Sequence, residues 1–489
     1  MHRLVIAALV LLCWAMPASA QELFSNPFAD AAAYRTQRGD LSDAHYRVRY
    51  EQTLIQRGGA PETSELMLDV ADDWALMRNG VQTILYDFRI NRVFTIAGDA
   101  FVTRNAAADV VFRITERQNR SYLERVLAGV RTRGGQALPG ACDAESELGV
   151  VVPSIDAASV QWRERRGGVT LRCGGQEIGS FTPGDGAAPP PAFWPTMYAA
   201  MPTHPAILRR VRENGHPAAQ LENSFISLGT GRSSRAWRLI AIETVTTPYP
   251  LTDALANTTA GALDAAVPGA GQVGIEAVAG RAQGGAPTLA NWDARVRALA
   301  QSDGEPAAAM MLGPMFNMFP DLNCGGADPL FACGLVRRVR SLDDPAPRAF
   351  FEIAVAEQQN NPAAAIAAMQ RAQVSPLRDH PALGAAYALA MLKFNRQQLE
   401  QARAAGLPTD GAALQNRALL AFPYNPGYWT DVGDRFGSAY EWPTAFIFYD
   451  VAFSLPLPGA SAGNPALQGK RSMAERIRHD FPDAFLPAR

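Results

Sequence analysis

Residues 425 to 456, NPGYWTDVGDRFGSAYEWPTAFIFYDVAFSLP, constrain the fold of this 489-residue chain more than any other stretch. Asn425 can cap a helix, and Pro426 suits the first helical turn, where its missing N–H forfeits no hydrogen bond. Pro443 opens a second helix in the same way. Gly433 and Ala452 are small enough for the two helices to approach closely, while Trp429, Phe436 and Tyr449 fill the space around them. These residues predict a tightly packed helical hairpin.

The same texture runs upstream. From Leu289 onward the apolar period is 3.6, with Trp292, Val296, Leu299 and Ala300 on one stripe. Pro306 to Phe319 carries Met310, Met311, Met315 and Met318, which suit a helical core better than a soft-metal site. Phe350 to Gln358 and Pro362 to Val374 read as a helical pair, and Pro381–Phe394, Arg396–Ala405 and Ala412–Phe422 continue the pattern.

Trp429, Val432, Gly433 and Phe436 fall at the spacing W-x2-L-G-x2-Y, followed in phase by Ala445, Tyr449, Ala452 and Pro456. This resembles one tetratricopeptide repeat (TPR), a helix–turn–helix unit of about 34 residues. The resemblance covers the C-terminal helical region only. It implies one clear repeat, two or three degenerate ones upstream, and a capping helix opened by Asn464-Pro465, with Leu467, Met473 and Ile477 covering the last repeat. It also implies a ligand groove on the first helix of each repeat. In the clear repeat those positions are Gly427, Thr430, Asp434, Gly437 and Ser438, of which Thr430, Asp434 and Ser438 are the polar candidates.

The N-terminal half has a different period. HYRVRYEQTLI alternates Tyr46, Val48, Tyr50 and Leu54 with charged Arg47, Arg49 and Glu51, as a half-buried strand does. Asn79-Gly80 is a strong hairpin signal, Asn91-Arg92 turns the chain again, and Gly167-Gly168 marks another hairpin. Glu116 to Arg131 has helical spacing. Residues 21 to about 40 read as an exposed lead-in with a few apolar anchors. Residues 248–288 are dominated by Ala, Gly, Thr and Pro and read as a linker with room for one short helix.

The first twenty residues have the layout of a secretion signal: Arg3, an apolar run from Leu4 to Trp14, and Ala18-Ser-Ala20 as the cleavage site. Leu12 before Cys13 argues against a lipoprotein signal. Four cysteines remain after cleavage, Cys142, Cys173, Cys324 and Cys333, and an even count in an oxidising compartment points to disulfides. Of three possible pairings the sequence-local one is favoured, Cys142–Cys173 with Cys324–Cys333; no C-x2-C pair supports a zinc site. The Arg- and Ala-rich composition together with this signal points to the periplasm of a Gram-negative cell.

Neither the formal net charge of −2 nor any basic cluster supports nucleic-acid binding. Catalytic motifs are lacking in a suitable context. Gly459-Ala-Ser461-Ala-Gly463 matches a nucleophile elbow, but prolines precede it where a strand is needed. The G-x-G-x-x-G match from Gly269 to Gly274 has no strand feeding it. Asp72-Asp73 reads as a turn before a strand, and the LGTGRSSR stretch from Leu228 to Arg235 as a hairpin loop. Of His45, His204, His216, His380 and His479, none has metal-ligand spacing from another, and each reads as a surface or capping residue.

The expected architecture is therefore α+β and multidomain. A signal peptide (1–20) precedes an antiparallel β-rich region with short helices (21–247), as one domain or two similar halves. The linker (248–288) and an all-α TPR-like solenoid (289–489) follow. The expected function is non-enzymatic: a periplasmic interaction or scaffold protein, without metal or cofactor, that binds a protein or peptide of the cell envelope. The alternative is a carrier of lipids or lipoproteins that uses a curved N-terminal sheet. Whether Ile84, Leu85, Val93 and Phe94 line an open cavity or a closed core separates the two.

Overall fold

The computed structural model describes residues 26–56, 59–80, 82–114, 141–149, 160–165, 167–173, 175–227, 231–280, 288–319, 322, 324, 330–439, 441–455 and 475–486. The signal segment, the predicted helix at 116–131 and the Gly459–Gly463 motif lie outside these residues. The chain divides into two compact units, one of residues 1–259 with 473–489 and the other of residues 260–472.

The first unit is built on a twelve-stranded sheet. Its strands are β1 Ala44–Ile55, β2 Glu62–Val70, β3 Trp74–Asn79, β4 Gln82–Asp87, β5 Arg92–Ala97, β6 Ala100–Asn105, β7 Val160–Arg165, β8 Gly168–Cys173, β9 Gln176–Thr182, β10 Gln220–Ser227, β11 Gly231–Thr247 and β12 Ala256–Asn257. The order across the sheet is β12-β6-β5-β4-β3-β2-β1-β11-β10-β9-β8-β7. All neighbours are antiparallel except the short β12–β6 pair. One sheet thus contains both strand-rich stretches. The expected turns fall where the residue chemistry put them: Asn79 pairs with Gln82 across Gly80, which has φ 58°, and Asn91 adopts φ 53° between β4 and β5. These left-handed conformations suit Gly and Asn.

Alternation along β1 buries Tyr46, Val48 and Tyr50 on one face. The opposite face carries cross-strand ion pairs, including Arg78 with Asp69 at 2.8 Å and Arg49 with Glu65 at 2.6 Å. Burial opposes ionisation of Asp69, but Arg47 and Arg78 together hold its pKa below the usual carboxylate range.

The lead-in is more deeply anchored than its sequence suggests. Helix α1 (Ala31–Arg38) is capped by Asp30, and Tyr34 enters the core with Trp74, Leu85, Phe94 and Phe101. Arg38 is fully buried between Asp73 and Asp87, and Tyr249 donates to Asp87 Oδ2 at 2.7 Å. Among the described residues this unit also includes helices α2 (Ala141–Leu148), α3 (Phe193–Ala200) and α4 (Pro205–Asn214). The segment 248–288, expected as a linker, is structured in its described part. Tyr249 and Leu251 belong to the sheet's core, and β12 pairs with β6.

The second unit is helical. Helix α5 (Thr259–Ala266) straddles the division between the units, and α6 (Ala270–Val278) follows it. A Cβ on Gly271 would lie 2.7 Å from Asp264 Oδ2, so small residues here allow close packing rather than flexibility. After them come α7 (Leu289–Ser302), α8 (Glu305–Ala309), α9 (Leu312–Met318), α10 (Phe331–Arg338), α11 (Pro345–Gln358), α12 (Pro362–Ala372), α13 (Pro381–Met391), α14 (Arg396–Ala404), α15 (Gly411–Ala421), α16 (Pro426–Ser438) and α17 (Trp442–Ser454). Met310, Met311, Met315 and Met318 are buried. Helices α11 and α12 pair, as do α16 and α17, while α13 packs on α11 and α15.

Side-chain caps open several of these helices. Asp344, Asn361, Asn395, Asp410 and Asn425 each accept a first-turn N–H through the side chain. Gly433 lies against the Tyr449 ring, where a Cβ would stand 3.1 Å from the nearest ring carbon. Ile477, expected to cover the last hairpin with Leu467 and Met473, is buried in the first unit instead. In that unit Asp483 meets Arg212 at 3.2 Å. Leu467 and Met473 lie outside the described residues.

Candidate functional site

The second unit contains an open groove walled by α10, α11 and α12. Its floor and one wall come from α11 and its C-cap Gln359, where Arg348, Phe351, Glu352, Val355, Ala356 and Gln359 fall at spacings of three and four, a single helical stripe. The opposite side of α11 buries Ala346, Ala349, Phe350 and Ile353. Apart from Ala356, which is buried and also lines the groove, the core and groove faces of α11 are distinct.

Local chemistry holds the three walls. Asp344 Oδ1 caps α11 by accepting from Ala346 N at 2.8 Å, and Ser375, just beyond α12, donates to the same oxygen at 2.6 Å. That bond ties the far end of α12 to the start of α11. Asn360 turns the chain between them at φ 52°. Asp293 Oδ1 accepts from Ala332 N at 2.8 Å and fixes the start of α10. Cys333 on α10 lies at disulfide distance from Cys324, with Cα atoms 4.9 Å apart. The second pair, Cys142 with Cys173, has Cα atoms 6.4 Å apart and joins α2 to β8.

The groove encloses about 1090 Å³. Small residues, Ala364 and Ala367, line the α12 side, and Val336 and Val339 line the α10 side. Val355 is 48% exposed on the floor. Four arginines border this surface, Arg337, Arg340, Arg348 and Arg371, against one acid, Glu352. Glu352 pairs with Arg371, while Arg348 braces the turn after α10 by donating to Arg340 O at 3.0 Å and Leu342 O at 3.3 Å. A guanidinium has five N–H donors, more than these contacts of Arg348 and Arg371 use, while Arg337 is itself engaged, donating to Cys324 O at 3.4 Å. The site therefore combines an apolar floor with a basic rim.

The groove positions implied by the repeat pattern lie on α16. Thr430 is half-buried and donates back to Pro426 O at 2.9 Å. Asp434 accepts from the Tyr449 hydroxyl inside its own hairpin, and Gly437 is packed under Trp442. Gly427 is half-buried and Ser438 is exposed at the helix end. Asp431, one turn before Arg435, had no motif to mark it. Burial, reinforced by the charge of Asp434, raises its pKa to about 7.

Of the other sequence candidates, two are helix caps. His204 and His380 cap α4 and α13, each accepting at Nδ1 from the backbone N–H two residues on at 3.2 Å. Burial, then the charge of Arg417, pushes His380 down to about 4, which keeps that nitrogen free to accept. His204 Nε2 also lies 3.0 Å from Glu145. His45 and His479 are exposed, and His216 is half-buried. Asp72 is exposed whereas Asp73 is buried against Arg38, so the two carboxylates do not converge. Residues 228–230 of the Leu228–Arg235 stretch lie outside the described residues and Gly231–Arg235 belong to β11, while Gly269 opens α6 after another helix. Among the described residues, no group of three or more His, Cys, Asp or Glu could hold a metal ion, and no helix is long and apolar enough to cross a membrane.

In the sheet unit, Ile84, Leu85, Val93 and Phe94 are all buried. The cavity beside Val93 and Tyr86 measures about 30 Å³, space for about one water molecule. Neither the protein-family models nor the curated proteins provide a match to this chain.

Proposed function

We propose that the protein is an exported, non-enzymatic interaction protein whose TPR-like helical unit binds a segment of another protein of the cell envelope. The observation that carries this reading is the groove of about 1090 Å³ on α10–α12, with exposed Val355 on its floor and arginines at its rim. Its volume lies just above the range of about 300–1,000 Å³ usual for small-molecule sites. Apolar floors with charged rims are the usual anatomy of a protein-binding surface. The two disulfide-distance cysteine pairs fit export.

The test is photo-crosslinking in the native envelope, with a photoreactive residue in place of Val355 and, as a control, of Val374. Val374 is 85% exposed and does not line the groove. A protein of defined mass joined at Val355 and not at Val374 supports the proposal. Equal labelling at both positions, or recovery of lipid alone, refutes it.

A further inference from the structure

We infer that the groove's occupant is an acidic amphipathic helix, a reading that rests on the interaction function proposed above. Size supports it first. From Arg348 to Gln359 the α11 stripe runs about 16 Å at the usual helical rise. A volume of about 1090 Å³ over that length corresponds to a width of roughly 9 Å, enough to seat one face of an α-helix about 10–12 Å across.

Backbone chemistry points the same way. One common way to hold an extended peptide is to pair its N–H and C=O groups with a sheet edge. The walls here are α-helices whose backbone groups are already engaged along α11 and α12. A helical ligand satisfies its own backbone and needs only side-chain contacts. Phe351, Val355, Val336 and Val339 receive an apolar stripe, and Ala364 and Ala367 leave room for bulky side chains such as Leu.

Charge then selects the flanks of that stripe. Arg337, Arg340, Arg348 and Arg371 against Glu352 give the groove a formal balance of +3. Glu or Asp beside the apolar stripe would meet guanidinium donors, whereas Lys would meet like charge. Such complementarity acts mainly on specificity and association rate.

The experiment uses the mature full-length protein and three fluorescein-labelled peptides. One is a helix-favouring peptide with leucines at i, i+3, i+4 and i+7 and glutamates on the flanks. The second replaces every glutamate by lysine, and the third keeps the glutamates but carries a central proline. The glutamate helix is expected to bind saturably, and the other two about tenfold more weakly or less. The double variant Arg337→Glu/Arg340→Glu should invert the preference between glutamate and lysine peptides. Arg337→Lys/Arg340→Lys should retain it, which guards against a folding artefact. Equal binding of glutamate and lysine peptides overturns the charge argument, and equal binding of the proline peptide overturns the helix. Binding to phosphatidylglycerol vesicles without discrimination among peptides also overturns it, by assigning the arginines to a lipid surface. A crosslinked protein partner whose contacting segment is neither acidic nor helical would remove this inference and leave the interaction function standing.

Discussion

Asp431 offers a test in which sign and magnitude can both be worked out. It lies on α16, and burial together with the charge of Asp434 raises its pKa from 3.8 to about 7. An acid whose folded pKa is raised takes up a proton on folding. Its contribution is fully present below pH 3.8, declines as the pH rises, and is lost above about pH 7. A shift of that size corresponds to roughly 4 kcal/mol as an upper bound, and relaxation of the half-buried site should reduce it to about 2 kcal/mol. Asn is nearly isosteric with the protonated acid and cannot ionise. Asp431→Asn should therefore match the parent near pH 4 and become about 2 kcal/mol more stable than it by pH 8. Denaturant unfolding at several pH values, with hydrogen exchange read on peptides from α16 and α17, gives that difference directly. Using the difference cancels the other carboxylates, such as Asp69, whose lowered pKa makes the opposite contribution. A variant that is less stable at pH 8, or a difference that does not change between pH 4 and 8, would refute the reasoning.

Other perturbations follow from the packing. Asp87→Ala removes one of two carboxylates that neutralise the buried Arg38 guanidinium and should destabilise the sheet unit by about 3–5 kcal/mol in denaturant unfolding. Gly433→Ala should destabilise the α16–α17 hairpin by about 1 kcal/mol despite the helical preference of Ala, because Tyr449 is held by Asp434 and cannot retreat. The double change with Tyr449→Phe should recover part of that loss, and additive effects would show that the tether is not the cause. Reduction of Cys324–Cys333 should raise hydrogen exchange in α10 and weaken groove binding, at about 2–3 kcal/mol of local stability. Unchanged exchange in α10 would show that Asp293 alone fixes this wall.

The features legible in the sequence were local ones. Asn425 with Pro426, Asn361 with Pro362 and Asn79 with Gly80 act on backbone groups within four residues, so their chemistry reads directly as helix starts and a turn. The pairing of α16 with α17 was legible for a related reason, since Gly433 and Tyr449 carry both the close approach and its filling within one short stretch. The alternation of Tyr46, Val48 and Tyr50 likewise revealed which face of β1 is buried. The Ala/Gly-rich segment misled because small residues suit both flexible chains and closely packed helices, and only the neighbours of Gly271 tell them apart.

By itself, then, the sequence determined the two textures of this protein, strands first and helices after, together with their turns and caps. Tertiary structure alone decided what those elements form between them. Arg38 is separated from Asp87 by 49 positions, and no local pattern links them before α1 docks. Arg337, Val355 and Arg371 come from three helices, and they become one groove only when the other face of α11 is buried. Burial also sets the protonation of Asp431, which is a property of its surroundings and not of its residue type. Local order follows from backbone and side-chain chemistry a few bonds apart, whereas the groove depends on which faces the hydrophobic effect leaves uncovered.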